Sequence, residues 1–268
     1  MKKFVWWLIV IFGIGVLALI VYNALRKPAP GPGPAPAVQP APPAPPEPQI
    51  RYPVTPPPGD KPLPALNESD AAMQEALGSL SLDKTLTEFL HLKEFVRRVV
   101  ATIDNLPRQK LTLRLMPVKP VGGKFLTTGR GENLAISPDN AARYAKYMRL
   151  ADAIDPAKLV ALYVRFYPLF QQAYQDLGYP KGYFNDRLVE VIDHLLAAPE
   201  MMAPAKLVRP KVFYLYADPE LEARSAGQKI LMRMGNANAA KIKDKLREIR
   251  GELIRQAVKE TKQDAVPR

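Results

Sequence analysis

Residues 4–21 form an unbroken run of eighteen uncharged, mostly large apolar side chains, and no other feature limits the fold so sharply. Extended to Leu25, the run is twenty-two residues long. As a helix it measures about 33 Å, the thickness of a bilayer's hydrocarbon core. A helix satisfies its own backbone polar groups there, which an isolated strand cannot. Trp6, Trp7 and Tyr22 lie near the two ends, where amphipathic rings favour the interface. The run is longer than a secretory signal core, and the nearest small-x-small site, Ala35-Pro36-Ala37, lies well beyond it with a proline in its middle. The expectation is an uncleaved transmembrane helix over 4–25. Lys2, Lys3 and the amino terminus outnumber Arg26 and Lys27 by three to two, which predicts a cytoplasmic N-terminus at 1–3 and a domain outside the cytoplasm.

Seventeen of the thirty-seven residues from 28 to 64 are proline. Proline fixes φ and lacks an N–H, so neither helix nor sheet is expected there. Residues 26–64 read as a disordered, extended linker, with 28–64 reaching at most about 115 Å at a polyproline rise of 3.1 Å per residue. Such runs also dock in aromatic grooves, but a passive spacer is the preferred reading. The globular domain is expected over 65–259, with a disordered tail at 260–268.

Cysteine is absent, which excludes disulfides, thiolate metal sites and a cysteine nucleophile. His91 and His194 are the only histidines, too few for a His-rich zinc or iron site, and no cofactor is expected. The net charge is +12. Residues 1–64 hold six basic side chains against Glu47 and Asp60, which leaves +8 on the domain. That balance favours anionic neighbours, or serves solubility alone.

Hydrophobic periodicity predicts a mainly α domain of about seven helices with a small β-hairpin. A first helix spans 70–79, capped by Asn67 or Ser69. A longer one spans 83–106, with Leu92, Phe95, Val96, Val99, Ile103 and Leu106 at helical spacing. Leu111, Leu113 and Leu115 alternate with polar residues and read as a strand, returning through Gly122 and Gly123 to 125–128. Ser137-Pro138, Asp155-Pro156 and Asp218-Pro219 each place a capping oxygen before proline, so each opens a helix. These helices run to about Ala151, Gly178 and Gly235. Further helices are expected over 183–198 and 239–259. The seam Ile242, Leu246, Ile249 and Leu253 on the last is expected to dock on the domain, with dimerisation open. Ala223, Ala226 and Gly227 form a smooth patch for close helix approach.

Two constellations carry possible chemistry. In the segment 183–194, Asp186, Glu190 and His194 recur at four-residue spacing beside Asn185, Arg187 and Asp193. Carboxylates so placed do acid–base work or join a histidine on a divalent metal. They also form structural ion-pair networks, which is the preferred reading, so neither a catalytic nor a metal residue is assigned. The second is electrostatic: residues 93–130 hold nine basic side chains against Glu94 and Asp104. Arg97, Arg98, Arg108, Lys110, Arg114 and Lys124 form the candidate anion-binding patch, with scattered solvated charges as the alternative. The aromatic stripe Tyr163, Phe166, Tyr167, Phe170 and Tyr174 reads as core, with Arg165 paired to an acidic residue. Gly122-Gly123-Lys124 and Gly129-Arg130-Gly131 lack P-loop spacing, and no G-x-S-x-G elbow occurs.

TIDNLPR at 102–108, YFNDRLVEVIDH at 183–194, and the stretch from LVRPK at 207–211 to SAGQK at 225–229 resemble the bacterial domain of unknown function numbered 3014. The resemblance covers residues 63–250 and implies a Gram-negative envelope protein with a membrane anchor. It implies no activity, substrate or catalytic residue. The expected function is therefore that of an interaction or scaffold domain, anchored in the inner membrane, periplasmic, and contacting another envelope protein or an anionic envelope component. An envelope enzyme using Asp186, Glu190, Asp193 and His194 is the alternative. Nucleic-acid binding requires a cytoplasmic domain.

Overall fold

The three cap-plus-proline signals start helical segments as capping chemistry dictates. Asp155 accepts the backbone N–H of Lys158 at 2.9 Å, Asp218 that of Glu220 at 2.8 Å, and Ser137 that of Asp139 at 3.2 Å. These segments belong to a computed structural model that describes residues 49–57, 62–80, 84–202 and 204–264. The expected membrane span at 4–25 and most of the spacer lie outside the described residues. No helix among the described residues is long and apolar enough to cross a membrane.

The described residues form eight α-helices: α1 (Asp70–Gly78), α2 (Phe95–Asn105), α3 (Ala145–Ala153), α4 (Pro156–Asp176), α5 (Phe184–Leu196), α6 (Pro219–Glu222), α7 (Ala226–Arg233) and α8 (Asn236–Asp264). Four short strands make two antiparallel hairpins. β1 (Thr127–Thr128) pairs with β2 (Ala135–Ile136), and β3 (Leu207–Val208) pairs with β4 (Leu215–Tyr216). A bridge from Ala135 to Lys206 joins them.

The main core lies between α1, α2, α4, α5 and α8. The aromatic stripe of α4 supplies Tyr163, Phe166, Phe170 and Tyr174, all buried, and Phe184 of α5 stacks on Phe170 with ring centroids 5.9 Å apart. Leu246, Ile249 and Leu253 of α8 pack into the same core, so the seam docks on the domain. A smaller cluster under the hairpins joins Leu207, Tyr216 and Met232. Tyr52, Val54 and Leu63 also pack on the main core, so folded structure includes residues assigned to the linker. At the other end, α8 continues to Asp264.

Several expectations need correction. The helix predicted from 83 starts at Phe95. Residues Lys84–Phe89 are 3-10 helix, and Glu94 has φ 54°. The Asp70 carboxylate accepts the N–H groups of Glu94 and Phe95 at 2.8 and 3.1 Å, so a side chain from α1 caps α2. Neither Asn67 nor Ser69 caps α1 by its side chain: Ser69 donates back to the Leu66 carbonyl, and Asn67 accepts from Arg97.

The leucines 111–115 form no strand. Leu113–Leu115 is a 3-10 turn whose Leu113 is exposed. Two side chains of α2 take its carbonyls: Thr102 bonds that of Leu115, and Arg98 that of Arg114. Alternation alone could not reveal that the partner was a helix. The partner of Thr127–Thr128 is instead Ala135–Ile136. The turn between them needs Gly129 at φ 72°, where a Cβ would lie 2.0 Å from the Asn133 carbonyl oxygen.

Pro138–Tyr144 is 3-10 before α3 begins. The helix expected from 219 to 234 is two, because Ser225 caps α7 through the N–H of Gln228 at 3.2 Å. That break lets the N–H groups of Ala226 and Gly227 reach the carbonyls of Arg108 and Leu106 at 2.7 and 2.9 Å. The small-residue patch thus serves to bring α7 against the end of α2. Arg165 lies with its guanidinium 5.5 Å from the Phe166 ring centroid and makes no ion pair among the described residues.

Candidate functional site

The start of α5 is where the polar residues singled out in the sequence meet structure. Tyr183 offers no side-chain cap; Gln171 of α4 accepts the Phe184 N–H at 2.8 Å instead. Asn185 and Asp186 follow in the first turn, both buried. The Asp186 carboxylate accepts two backbone N–H groups, from Arg51 at 3.0 Å and Tyr52 at 2.8 Å. Asn185 donates to the Tyr52 carbonyl at 2.9 Å and accepts the Tyr163 hydroxyl at 3.1 Å. Burial pushes the Tyr163 phenol well above its ordinary value, and the charges of Tyr167 and Asp186 add to this, so it remains a donor. Two neighbouring side chains therefore hold the N–H groups of Arg51 and Tyr52 and the Tyr52 carbonyl, within the proline-rich segment.

Arg187 turns to the opposite side and joins a network around Asp104. The Asp104 carboxylate, 3% exposed, accepts from Arg108 at 2.6 Å and the Tyr179 hydroxyl at 3.3 Å and forms an ion pair with Arg187 at 3.2 Å, while Arg187 donates to the Asp104 backbone carbonyl at 3.1 Å. The hydrogen bond and charge of Asp104 raise the Arg108 pKa. Arg187 also donates to Glu190 at 2.9 Å. Asp193 is held by both Nε and Nη2 of Arg250, at 2.5 and 3.1 Å, and this pairing raises the Arg250 pKa. His194 Nε2 lies 2.8 Å from Ser225 Oγ. The four acid–base candidates thus face four different partners. Among the described residues, no group of three His, Cys, Asp or Glu side chains is placed to hold a metal ion.

The basic set is divided. Arg97 donates to Asp176 at 2.9 Å and to Asn67 at 3.1 Å. Arg98 binds the carbonyls of Lys93 and Arg114, and Arg108 binds Asp104. Lys110, Arg114 and Lys124 are exposed. Arg97, Arg98 and Arg108 are therefore engaged within the fold, although Arg108 stays 56% exposed at its side chain, and Lys110, Arg114 and Lys124 are the exposed members without such a bond among the described residues.

Three polar residues that organise the domain were not singled out. Asp104 continues the Val96, Val100 row at four-residue spacing, a signal that it faces the core. Asn140, 1% exposed, accepts the Leu126 N–H and donates to the Arg233 carbonyl, tying the loop before β1 to the end of α7. Lys243 is buried and donates to the Ala198 carbonyl at 2.6 Å, placing a cation at the C-terminal end of α5. Two concavities accompany these networks. One, about 340 Å³, is lined by Ser137, Asn140, Met201, Met232, Arg233 and Asn236. The other, about 310 Å³, is walled almost wholly by apolar side chains such as Val99, Ile103, Leu188, Leu195, Leu246 and Ile249.

A family model described as Protein of unknown function (DUF3014) matches residues 95–250, from the first residue of α2 into α8. The match begins later than the resemblance over residues 63–250, so α1 and the 3-10 segment before α2 lie outside it. No curated protein and no solved structure matches. The Asp104 network, the whole of α5 and both hairpins fall within the matched span, and the chain belongs to this family of proteins of unknown function.

Proposed function

We propose that this chain is an envelope protein anchored by its N-terminal helix in the inner membrane, with a periplasmic helical domain that binds another envelope protein or an anionic envelope component. The grip of Asn185 and Asp186 on Arg51 and Tyr52 carries this reading. Two buried polar side chains in the first turn of α5 are used to hold the chain entering the domain. Such a use suits a protein whose task depends on where its domain is held. Arg51 and Tyr52, assigned by sequence to the spacer, are thereby part of the folded domain. The apolar run at 4–25, the charge bias around it and the domain's positive charge support the location and the partner class.

The test is a pair of reporter fusions after Arg268, combined with crosslinking of the full chain in cells. A reporter active only outside the cytoplasm should work, and one specific envelope component should crosslink. Activity of a cytoplasm-only reporter would overturn the proposed location. The lack of any specific crosslink would remove the interaction role.

A further inference from the structure

The β3–β4 hairpin ends in an apex that the fold leaves uncovered. Residues 209–214 turn the chain, and Val212 and Phe213 within the turn are 70% and 79% exposed. Val208 and Met202, 45% and 99% exposed, lie within the same twelve residues. Single exposed apolar side chains are ordinary, but Val212 and Phe213 adjacent on one turn, with Val208 on the outer face of β3, mark a surface that meets something. Lys206, Arg209 and Lys211 are interleaved with them, all exposed, and residues 201–217 contain no Asp or Glu.

The base of this apex is firmly seated. Strand alternation sends Leu207 and Tyr216 inward, each 2% exposed, and Val208 outward. The Tyr214 ring lies 5.7 Å from Phe125, the Arg209 guanidinium sits 5.2 Å over Tyr214, and Arg233 donates to the Tyr214 carbonyl at 3.4 Å. Nothing in this base requires Val212 or Phe213 to stay in water.

We propose that the apex is a wedge for an anionic lipid surface. Val212 and Phe213 enter the head-group region, and Lys206, Arg209 and Lys211 bind lipid phosphates above them. Charge complementarity selects this occupant. Cations with no acid in their own segment, interleaved in sequence with an aromatic and a branched apolar side chain, match the interfacial zone, where each type finds its own depth. The inference rests on the proposed anchorage, which keeps a bilayer within reach of the domain.

Because the chain has no cysteine, Val212→Cys gives the full chain one site for an environment-sensitive fluorophore. The labelled chain is reconstituted in vesicles of phosphatidylcholine alone or mixed with phosphatidylglycerol. The expected result is blue-shifted emission, quenched by nitroxide lipids, in the anionic vesicles only. Raised salt and Lys206→Glu with Lys211→Glu should abolish it, and Phe213→Ser should reduce it. Emission that stays aqueous in anionic vesicles, or that shifts equally in phosphatidylcholine, overturns the wedge. Flotation with vesicles at high salt reads the anchor separately. A floating chain with an aqueous label rejects the wedge and leaves the anchor standing. A chain that fails to float rejects the anchor, and the label in anionic vesicles at low salt still decides the wedge.

Discussion

Replacing Asp104 by Asn removes one charge from a site that is 3% exposed and changes almost nothing in shape. Arg187, 19% exposed at its side chain, would lose the 3.2 Å partner that balances it, and its Nε already has no hydrogen-bond partner among the described residues. Breaking a buried ion pair from one side costs about 3–5 kcal/mol. Arg187 retains Glu190 and some contact with solvent, which places this case at about 3 kcal/mol, a large share of the roughly 5–15 kcal/mol that holds a domain together. With a urea slope of about 2 kcal/mol/M, the unfolding midpoint of the domain should fall by about 1.5 M. Asp104→Asn combined with Arg187→Met should be more stable than Asp104→Asn alone, because no unpaired buried charge remains. Arg108→Gln, at the exposed end of the network, should move the midpoint far less. A loss below about 1 kcal/mol for Asp104→Asn, or simple additivity in the double variant, would refute the network as the origin of the stability.

Three further outcomes follow from other contacts. Gly227→Ala should cost about 1–3 kcal/mol in urea unfolding, because its Cβ would meet Leu195 Cδ2 at 2.5 Å and the Leu106 carbonyl oxygen at 3.1 Å; an unchanged midpoint would contradict the close approach of α7. Asn185→Leu leaves the Tyr163 hydroxyl buried without its acceptor and should cost about 1–3 kcal/mol in the same assay, whereas a neutral result would show that the hydroxyl has another partner. Glu222 should show in the acid range. Burial raises its pKa, but the Lys229 ammonium and the Tyr216 N–H outweigh burial and lower it below 4.5. A carboxylate depressed in the folded state stabilises above its unfolded pKa and loses that contribution as pH falls through the folded value. The Tm gap between wild type and Glu222→Gln should therefore be full at neutral pH and close below pH 4.5, and a gap constant through the acid range would exclude the linkage.

Local chemistry carried much of the fold into the sequence. Asp155, Asp218 and Ser137 stand directly before prolines, so their caps involve only neighbours in the chain. The stripe from Tyr163 to Tyr174 repeats at helical spacing because one face of α4 is the core. What failed depended on distant partners. Asp70 caps a helix that begins twenty-five residues later, and Arg98 and Thr102 draw the leucines near 113 into a turn. Neither effect leaves a local pattern. The cluster at 185–194 was visible as a concentration of polar residues, but its use was not. Asp186 meets Arg51 across 135 residues, and no spacing rule could join a helix to a proline-rich segment. The apex at Val212 and Phe213 was hidden differently, since exposure of an apolar side chain is a property of the folded surface.

The division of labour along α5 gives these observations one sense. Its first turn holds the incoming chain, its middle joins the Asp104 network, and its last turn meets Arg250 of α8 and Ser225 before α7. A load on the entering segment would thus be borne by a helix tied to α2, α4, α7 and α8.

Amide hydrogen exchange at Arg51 and Tyr52, in the full chain and in Asp186→Ala, tests this grip directly. Hydrogen bonds to a charged acceptor contribute about 1.5–3 kcal/mol each, so losing even one should speed exchange of these two amides at least about tenfold. Amides of α4 should keep their wild-type protection. Free-chain exchange at Arg51 and Tyr52 in the wild type, or equal loss of protection across α4, would show that α5 does not hold the entering chain.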